Sequence, residues 1–329
     1  MYFEGKRILV IGGTGTIGTS IIQQLLKENP ELIRIFSRDE YKQHKVKERF
    51  HNNPKLQLMI GDVRDYDRVL QAMESIDYVF HVAAMKRVEM CEGNPVEAVK
   101  TNILGTHHVM KAATNQHVKK VVFTSTDKAI SPNNAYGATK LIAERMIATN
   151  DPEQRTVIAS VRFGNVMGSR GSVIPIFKEQ IETKQEITVT NLHMTRFMMT
   201  LQQATNLTIH ALKEAKGGEV FVLKMPVVKL GDLANLLINE VCQKQEIDSS
   251  TIQMKVTGLR PGEKMYEELM TLDESQFAWE LPDMYIIPSD KSSVYPDAVR
   301  AEQTSYSSSK QKAVSYSELR EILVQSHLI

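Results

Sequence analysis

An α/β fold with a Rossmann-type, doubly wound parallel sheet is predicted by three features of the 329-residue sequence. Short apolar runs alternate with stretches of helical length, the runs are rich in β-branched and aromatic residues, and a glycine-rich turn follows the first run. Strands covered on both faces read as continuous apolar runs, and their alternation with amphipathic segments is the mark of repeated βαβ units. In chain order, RILVI is the first strand, GGTGTIG a tight turn and TSIIQQLLKE a helix. LIRIFSR, LQLMIGD, DYVFHVAA and VKKVVFTST are further strands, with VLQAMES helical between two of them. YGATKLIAERMIAT is a helix and TVIASVRFGNV a strand. Past about residue 165 the rhythm breaks into Gly-, Ser-, Pro- and Thr-rich connections around GSRGSVIPIFKEQI, EITVTN and MTRFMMTLQQATNLTIHALKEA. GGEVFVL reads as a late return to the sheet, and VKLGDLANLLINEVC as a helix. The expected division is a first domain over 1–165, with returns of the chain near 217–240, and a smaller lobe formed mainly by 166–329. The tail SSSKQKAVSYSELREILVQ reads as a polar linker followed by an amphipathic helix.

Composition excludes several classes. The 40 Lys+Arg against 39 Asp+Glu leave a formal charge of +1, which lacks the basic footprint of a dedicated nucleic-acid binder. No run approaches the roughly 20 apolar residues of a membrane span. Cys91 and Cys242 are far apart and form neither a disulfide framework nor a zinc knuckle, so no metal is expected. The scattered His81, His107, His108 and His193 have no ligand spacing, and Met198 and Met199 read as core. With no signal-peptide pattern at the start, a reducing cytoplasm is the expected location.

The turn GGTGTIG carries a specific expectation. After a strand and at the head of a helix, its glycines permit a sharp turn and close approach of the backbone to a pyrophosphate resting on the helix N-terminus. The expected dinucleotide contacts are Gly12, Thr14, Gly15, Thr16, Ile17 and Gly18, with Ala83 after the fourth strand. The second strand ends in Ser37 and Arg38, where an NAD enzyme usually carries an acid for the ribose 2′-hydroxyl. A guanidinium suits a phosphate, so NADP is the expected cofactor. Asp62 and Val63, after the third strand, are placed to meet the adenine; capping of the next helix is the other reading of Asp62.

Tyr136 and Lys140, in YGATK, lie one turn apart on one side of a helix. A phenol with a pKa of about 10 becomes a base near neutrality only if a cation stabilises its phenolate, and Lys140 is the expected cation. The strand VVFTST ends in Thr126, whose hydroxyl can bond a substrate oxygen beside the tyrosine. With GGTGTIG, HVAA, YGATK and RPGEK, the chain resembles the extended, nucleotide-sugar-modifying branch of the short-chain dehydrogenase/reductases. Asp127 and Lys128 follow Thr126 directly, an acid-base pair that an epimerase does not need and an elimination does. STDKAISPNNAYGATK, VRFGNVMGSRGSVIPIF, HMTRF and GLRPGEK resemble the soluble, C5-inverting UDP-N-acetylglucosamine 4,6-dehydratases of pseudaminic acid synthesis. Retaining relatives commonly carry methionine at the position of Tyr136.

That resemblance implies a sequence of steps. Tyr136 takes the proton of the sugar 4-hydroxyl as the C4 hydride leaves, Lys128 takes the acidified C5 proton, and Asp127 protonates the departing 6-hydroxyl. The hydride returns to C6 and C5 is reprotonated from the opposite face. It also implies that Arg260 and Glu263 clamp the UDP, the arginine on a phosphate and the carboxylate on ribose. Lys86, Asn165 and Arg170 are further expected substrate contacts, and a hexamer or dimer the expected assembly. Three other readings stay open: a UDP-sugar 4-epimerase, a pathway neighbour that uses the dehydratase product or releases an unsaturated sugar, and a nucleotide sensor without chemistry.

Overall fold

The computed structural model describes residues 1–149, 155–169 and 171–329. Seven parallel strands form the centre of a large sheet: β1 (Arg7–Ile11), β2 (Leu32–Ser37), β3 (Leu56–Ile60), β4 (Tyr78–His81), β5 (Lys120–Thr124), β6 (Val157–Arg162) and β7 (Val220–Leu223). Their spatial order is β3-β2-β1-β4-β5-β6-β7. Beyond β7, Met284–Ile287, Trp279–Glu280 and Val299–Arg300 extend the sheet with antiparallel pairing. The chain leaves β1 toward β2 and β3, then crosses to β4 on the other side. The crevice beyond the C-terminal ends of β1 and β4 is therefore the switch point at which open α/β sheets bind ligands.

The period of two along each strand feeds both faces. Ile8, Val10, Ile33, Ile35 and Phe80 pack under Ile21, Ile22 and Leu25 of the Thr16–Leu26 helix and Leu207 and Leu212 of the Leu201–Glu214 helix. Leu9, Ile11, Phe36, Val79 and Phe123 face the other way, against Val69, Val109, Ala143 and Ile147. Complete burial of such a side chain contributes about 1.5–3 kcal/mol, so a one-residue slip of register would be prohibitive. β3 is only partly covered, because it lies at the sheet edge, which its apolar sequence did not reveal.

A separate core forms the second lobe. Ile174, Phe177 and Ile181 of the Val173–Lys184 helix meet Leu233, Leu237 and Val241 of the Leu230–Gln245 helix, with Leu319 and Leu323 of the Tyr316–Gln325 helix. The expected polar linker is not a linker at its start. Tyr306–Ser307 pairs with Glu268–Met270 as a strand, and Ser305, Ser307 and Ser308 are buried. Their hydroxyls and amides bond backbone and neighbouring side chains, which is why a run of serines can leave water.

Arg162, at the end of β6, joins three parts of the chain. Its guanidinium donates to Glu144 Oε1 and Oε2 at 3.1 and 2.6 Å, to Glu274 Oε2 and Oε1 at 3.0 and 3.1 Å, and to the Leu269 carbonyl at 2.9 Å. Arg162 and Glu144 are both buried. Removing one partner of a buried pair leaves the other charge uncompensated, so Arg162→Ala is expected to lower unfolding free energy by about 3–5 kcal/mol. Urea denaturation checks this, and a loss below 1 kcal/mol would contradict it.

Candidate active site

The first turn is shaped for a dinucleotide. Gly12 has φ +84°, and a Cβ there would lie 2.8 Å from the Ala83 amide nitrogen, so only glycine lets the ends of β1 and β4 approach this closely. Gly15 precedes the Thr16–Leu26 helix in an extended conformation, and no side chain caps that helix. Thr16, Ile17 and Gly18 form its first turn, beside Thr14, which leaves backbone N–H groups and the positive end of the helix dipole directed at the switch point. These features fit a pyrophosphate.

At the end of β2, the Ser37 hydroxyl accepts from Gln43 Nε2 at 3.1 Å. Arg38 is exposed, and its guanidinium lies 3.5 Å from Asp62 Oδ2, an oxygen that also accepts from Arg64. The neighbouring acid, Asp39, is occupied in capping its helix and pairing with Lys42 at 2.6 Å. Asp62 also accepts from the Arg64 amide, as a turn-forming aspartate does. Val63 is buried against Gly105.

The end of β5 carries the densest chemistry. Thr126 caps the one-turn helix Asp127–Ala129 and donates to Asp127 Oδ1 at 2.9 Å; its hydroxyl is also hydrogen-bonded to that of Tyr136. Lys128 Nζ donates to the same Asp127 oxygen at 3.0 Å and lies 3.4 Å from Glu267 Oε1. Asp127 and Glu267 side chains are 1% and 4% exposed, whereas Lys128 is 24% exposed, so the amine stands in front of two sequestered carboxylates. Asp127 Oδ2 and Glu267 Oε2 have no hydrogen-bond partner among the described residues. Burial lowers the pKa of Lys128, but Asp127 and Glu267 outweigh it and hold the ammonium above its ordinary value. Burial, then Asp127, raises Glu267 against the opposing charges of Lys128, Arg196 and Lys264.

Tyr136 reaches this cluster because Asn134 caps the Ala135–Ala148 helix, accepting from the Gly137 amide at 2.8 Å. A Cβ on Gly137 would collide with the Lys128 carbonyl, so the helix and the Asp127–Ala129 turn could not otherwise touch. Burial pushes the Tyr136 pKa up to about 12, with Lys128 and the Thr126 hydrogen bond drawing it back down. Lys140, the cation expected to do this, is buried, donates to the Thr124 carbonyl at 2.8 Å and lies 4.1 Å from the Phe123 ring centroid. Burial lowers its pKa to about 7. His81, buried beneath it, is lowered to about 3 by burial and by Lys140, and so stays neutral.

The outer residues are arranged by backbone contacts. Lys86 is exposed just after β4, on a segment that Asn102 holds through the Met85 amide and carbonyl at 2.8 and 3.0 Å. Asn102 also donates to Thr139, tying that segment to the Tyr136 helix. Asn165 pairs with Met198 in a short strand. Arg260 is exposed, its amide bonded to Glu263 and its guanidinium 3.1 Å from Glu89. Lys264, next in RPGEK, donates to the carbonyls of Ile130 and Ser131, and the Gly262 carbonyl accepts from Asn134. The RPGEK loop is thereby fastened to the turn that carries Asp127 and Lys128. Arg170 lies outside the described residues. Sequence reasoning missed Glu267, Arg196 and Asn102; Arg196 and Glu267 stand in or beside the quoted HMTRF and RPGEK segments, and only the fold brings them to Lys128.

Two outcomes are expected. Gly12→Ala should abolish retention of a dinucleotide and, by straining the β1–β4 junction, also lower stability, as measured by nucleotide released on denaturation and by urea unfolding. Lys140 is neutralised in the folded protein near pH 7 but at about 10.4 when unfolded. The unfolded chain therefore binds more protons between those values, and this group makes stability rise with pH across that window. Lys140→Met should flatten the rise in denaturation curves taken between pH 7 and 10.

Comparison with known proteins places this geometry. Residues 8–289 match the family model for polysaccharide biosynthesis proteins. A Methanocaldococcus jannaschii protein described as an uncharacterized membrane protein is 42% identical, the alignment covering 98% of this chain and 96% of the relative. Among the described residues no helix here is long and apolar enough to cross a membrane. The UDP-glucose 4-epimerase of Rickettsia massiliae is 40% identical over 98% of this chain and 96% of its own. The X-ray structure of Pen from Bacillus thuringiensis is 56% identical, with TM-score 0.94 and full coverage of both chains. DesIV, a dTDP-glucose 4,6-dehydratase of Streptomyces venezuelae, shares the fold at 19% identity, with TM-score 0.70 and coverage of 79% of this chain and 86% of its own. The chain thus belongs to the polysaccharide biosynthesis protein family, built on the extended short-chain dehydrogenase/reductase fold.

Proposed function

We propose that the protein is an NADP-dependent UDP-N-acetylglucosamine 4,6-dehydratase that inverts C5 and serves the synthesis of a surface sugar. The observation that carries this reading is the Asp127–Lys128–Glu267 cluster, joined through Thr126 to Tyr136 at the end of β5. Oxidation of a sugar hydroxyl asks for one base; loss of water asks for a second base and an acid on the neighbouring carbons. The epimerase names of the Rickettsia relatives support a second reading, UDP-sugar 4-epimerisation, in which the cluster has only a structural role.

Bound NADP would supply acceptance and return of the hydride. Gly12 to Gly18 and Ala83 would hold its pyrophosphate, and Arg38 with Ser37 its 2′-phosphate. The exposed Arg38 guanidinium and the engagement of Asp39 elsewhere support that preference over NAD. Tyr136 removes the 4-hydroxyl proton, its phenolate steadied by the Lys128 charge. Once C4 is a ketone, the C5 proton is acidic enough for an amine. Lys128 first passes a proton to Asp127 Oδ1, 3.0 Å away, and as an amine takes the C5 proton, while Asp127 hands the proton it received to the 6-oxygen, which leaves as water. Arg260, Glu263, Lys86, Asn165 and Arg170 would grip the UDP; the anchoring of RPGEK to the catalytic turn supports a coupled grip. The same reading includes a homo-oligomer, dimer or hexamer, and a cytoplasmic location.

Variants separate the two halves of the reaction. Tyr136→Phe should lose about 10²–10⁴-fold in turnover, with UDP-N-acetylglucosamine binding retained. Asp127→Asn with Lys128→Ala should still form NADPH, seen by absorbance, though more slowly because the charge beside Tyr136 is gone, and should make no 6-deoxy sugar. Dehydration by that double variant near the wild-type rate would defeat the dehydratase reading. Nucleotide released from purified protein should be NADP(H) by chromatography, and NAD as the main species would overturn the cofactor assignment.

A further inference from the structure

We propose that Lys264 is a positioning residue: it holds the short connection between Lys128 and Tyr136 in a strained backbone conformation and so keeps the two aligned for hydride transfer. The inference deepens the proposed function and rests on Tyr136 as the base of its hydride step. Lys128 and Tyr136 stand on two separate elements, the Asp127–Ala129 turn and the Ala135–Ala148 helix, joined by residues 130–134. The entry to the turn is well held. The Asp127 amide donates to the Phe163 carbonyl at 3.2 Å, the Ala129 amide to the Thr126 carbonyl at 3.1 Å, and the Ile130 side chain is buried. The exit is not held by its own sequence. Ser131 is exposed with φ +44°, in the left-handed region that side chains rarely adopt, and it precedes Pro132, which favours extended backbone at that position. Strain of this kind persists only where the surroundings impose it.

Lys264 imposes it. Its Nζ donates to the Ile130 carbonyl at 3.0 Å and to the Ser131 carbonyl at 2.8 Å, two successive acceptors at the bend. Neither carbonyl receives another hydrogen bond from the described residues. The lysine is itself anchored at its other end. Its carbonyl accepts from Arg196 at 2.8 Å, and the next carbonyl, of Met265, accepts from the Thr195 amide at 3.0 Å. It therefore braces the connection from the Thr195–Met199 strand. Other contacts are weaker candidates for this role. Asn134 donates to the Gly262 carbonyl at 3.2 Å, but its side chain is already held by Asn133 and by the Gly137 amide that it caps. Glu267 meets Lys128 itself and not the connection. Without Lys264 two carbonyls lose their donor and Ser131 is free to relax toward extended backbone. The Lys128 carbonyl, which lies against Gly137, then shifts relative to the tyrosine helix. A displacement of about 1 Å at the reacting groups is enough to cost about 10²-fold in rate. Lys264 touches neither sugar nor cofactor in this scheme and moves no proton.

The test uses the full-length protein with its resident cofactor. NADPH formation from UDP-N-acetylglucosamine is followed in a single turnover, and UDP affinity is measured by calorimetry. Lys264→Met keeps the length of the side chain without its donors; NADPH formation is expected to fall by about 10²-fold with UDP affinity unchanged. Lys264→Gln, too short to reach both carbonyls, gives the same comparison should the methionine variant not fold. Ser131→Gly should change little alone, yet recover part of the rate when added to Lys264→Met, because glycine adopts a positive φ without penalty. That recovery separates positioning from charge, since Lys264 also draws down the Glu267 pKa and the glycine restores no charge. A wild-type rate in Lys264→Met would overturn the inference, as would a loss of UDP affinity as large as the loss of rate. Failure of Ser131→Gly to recover Lys264→Met would leave only a charge effect and overturn it too. A wild-type protein that forms NADPH but no 6-deoxy sugar would sink the dehydratase reading and leave Lys264 in this role. One that forms no NADPH from this substrate would overturn both.

Discussion

The site depends on holding Lys128 against Asp127 and Glu267, two carboxylates kept away from water. Each charge taken alone into this position would cost several kcal/mol, and only close mutual pairing makes the arrangement tolerable. The rest of the architecture serves that pairing. Thr126 orients Asp127, Gly137 lets the tyrosine helix press against the turn, and Ser308 holds Glu267 from the far end of the chain. Arg162 adds the long-range constraint, because Glu144 lies on the tyrosine helix while Leu269 and Glu274 follow Glu267 closely in the chain. One guanidinium thus fixes the spacing between Tyr136 and Glu267.

The parallel sheet was legible because its signals are local. Continuous apolar runs, a glycine turn between strand and helix, and hydroxyl, acid and amine residues in one short segment are read without knowing the fold. What was not legible depends on contacts distant in sequence. Glu267 is an ordinary glutamate in GEKMYEELM until the Glu268–Met270 strand brings it behind Lys128. The buried serines look like a linker because hydrophilic composition usually means exposure. Here each finds a polar partner inside the protein. The antiparallel strands beyond β7 are too short to show a period, and Lys140 could be placed near Tyr136 but not turned toward the Thr124 carbonyl by helix spacing alone.

The relatives show why fold and function need separate arguments. One build carries proteins named as 4-epimerases and as 4,6-dehydratases, since both chemistries need a dinucleotide at the switch point and a tyrosine beside the sugar. The difference lies in the groups next to C5 and C6. A hydroxyl and a tyrosine suffice for oxidation and return at C4, whereas on the proposed reading an amine beside a buried carboxyl would supply the proton transfers of an elimination, which an epimerase does not use. Exposure falls from Lys128, 24% exposed, to the closed Asp127 and Glu267 behind it.

The most direct measurement is the NMR spectrum of the product formed from UDP-N-acetylglucosamine by the intact protein in deuterated water. A 4-keto sugar with a 6-methyl group, deuterium at C5 and inverted configuration there is the predicted result. A sugar that keeps its 6-hydroxyl and protium at C5 and differs only in configuration at C4 would contradict the account.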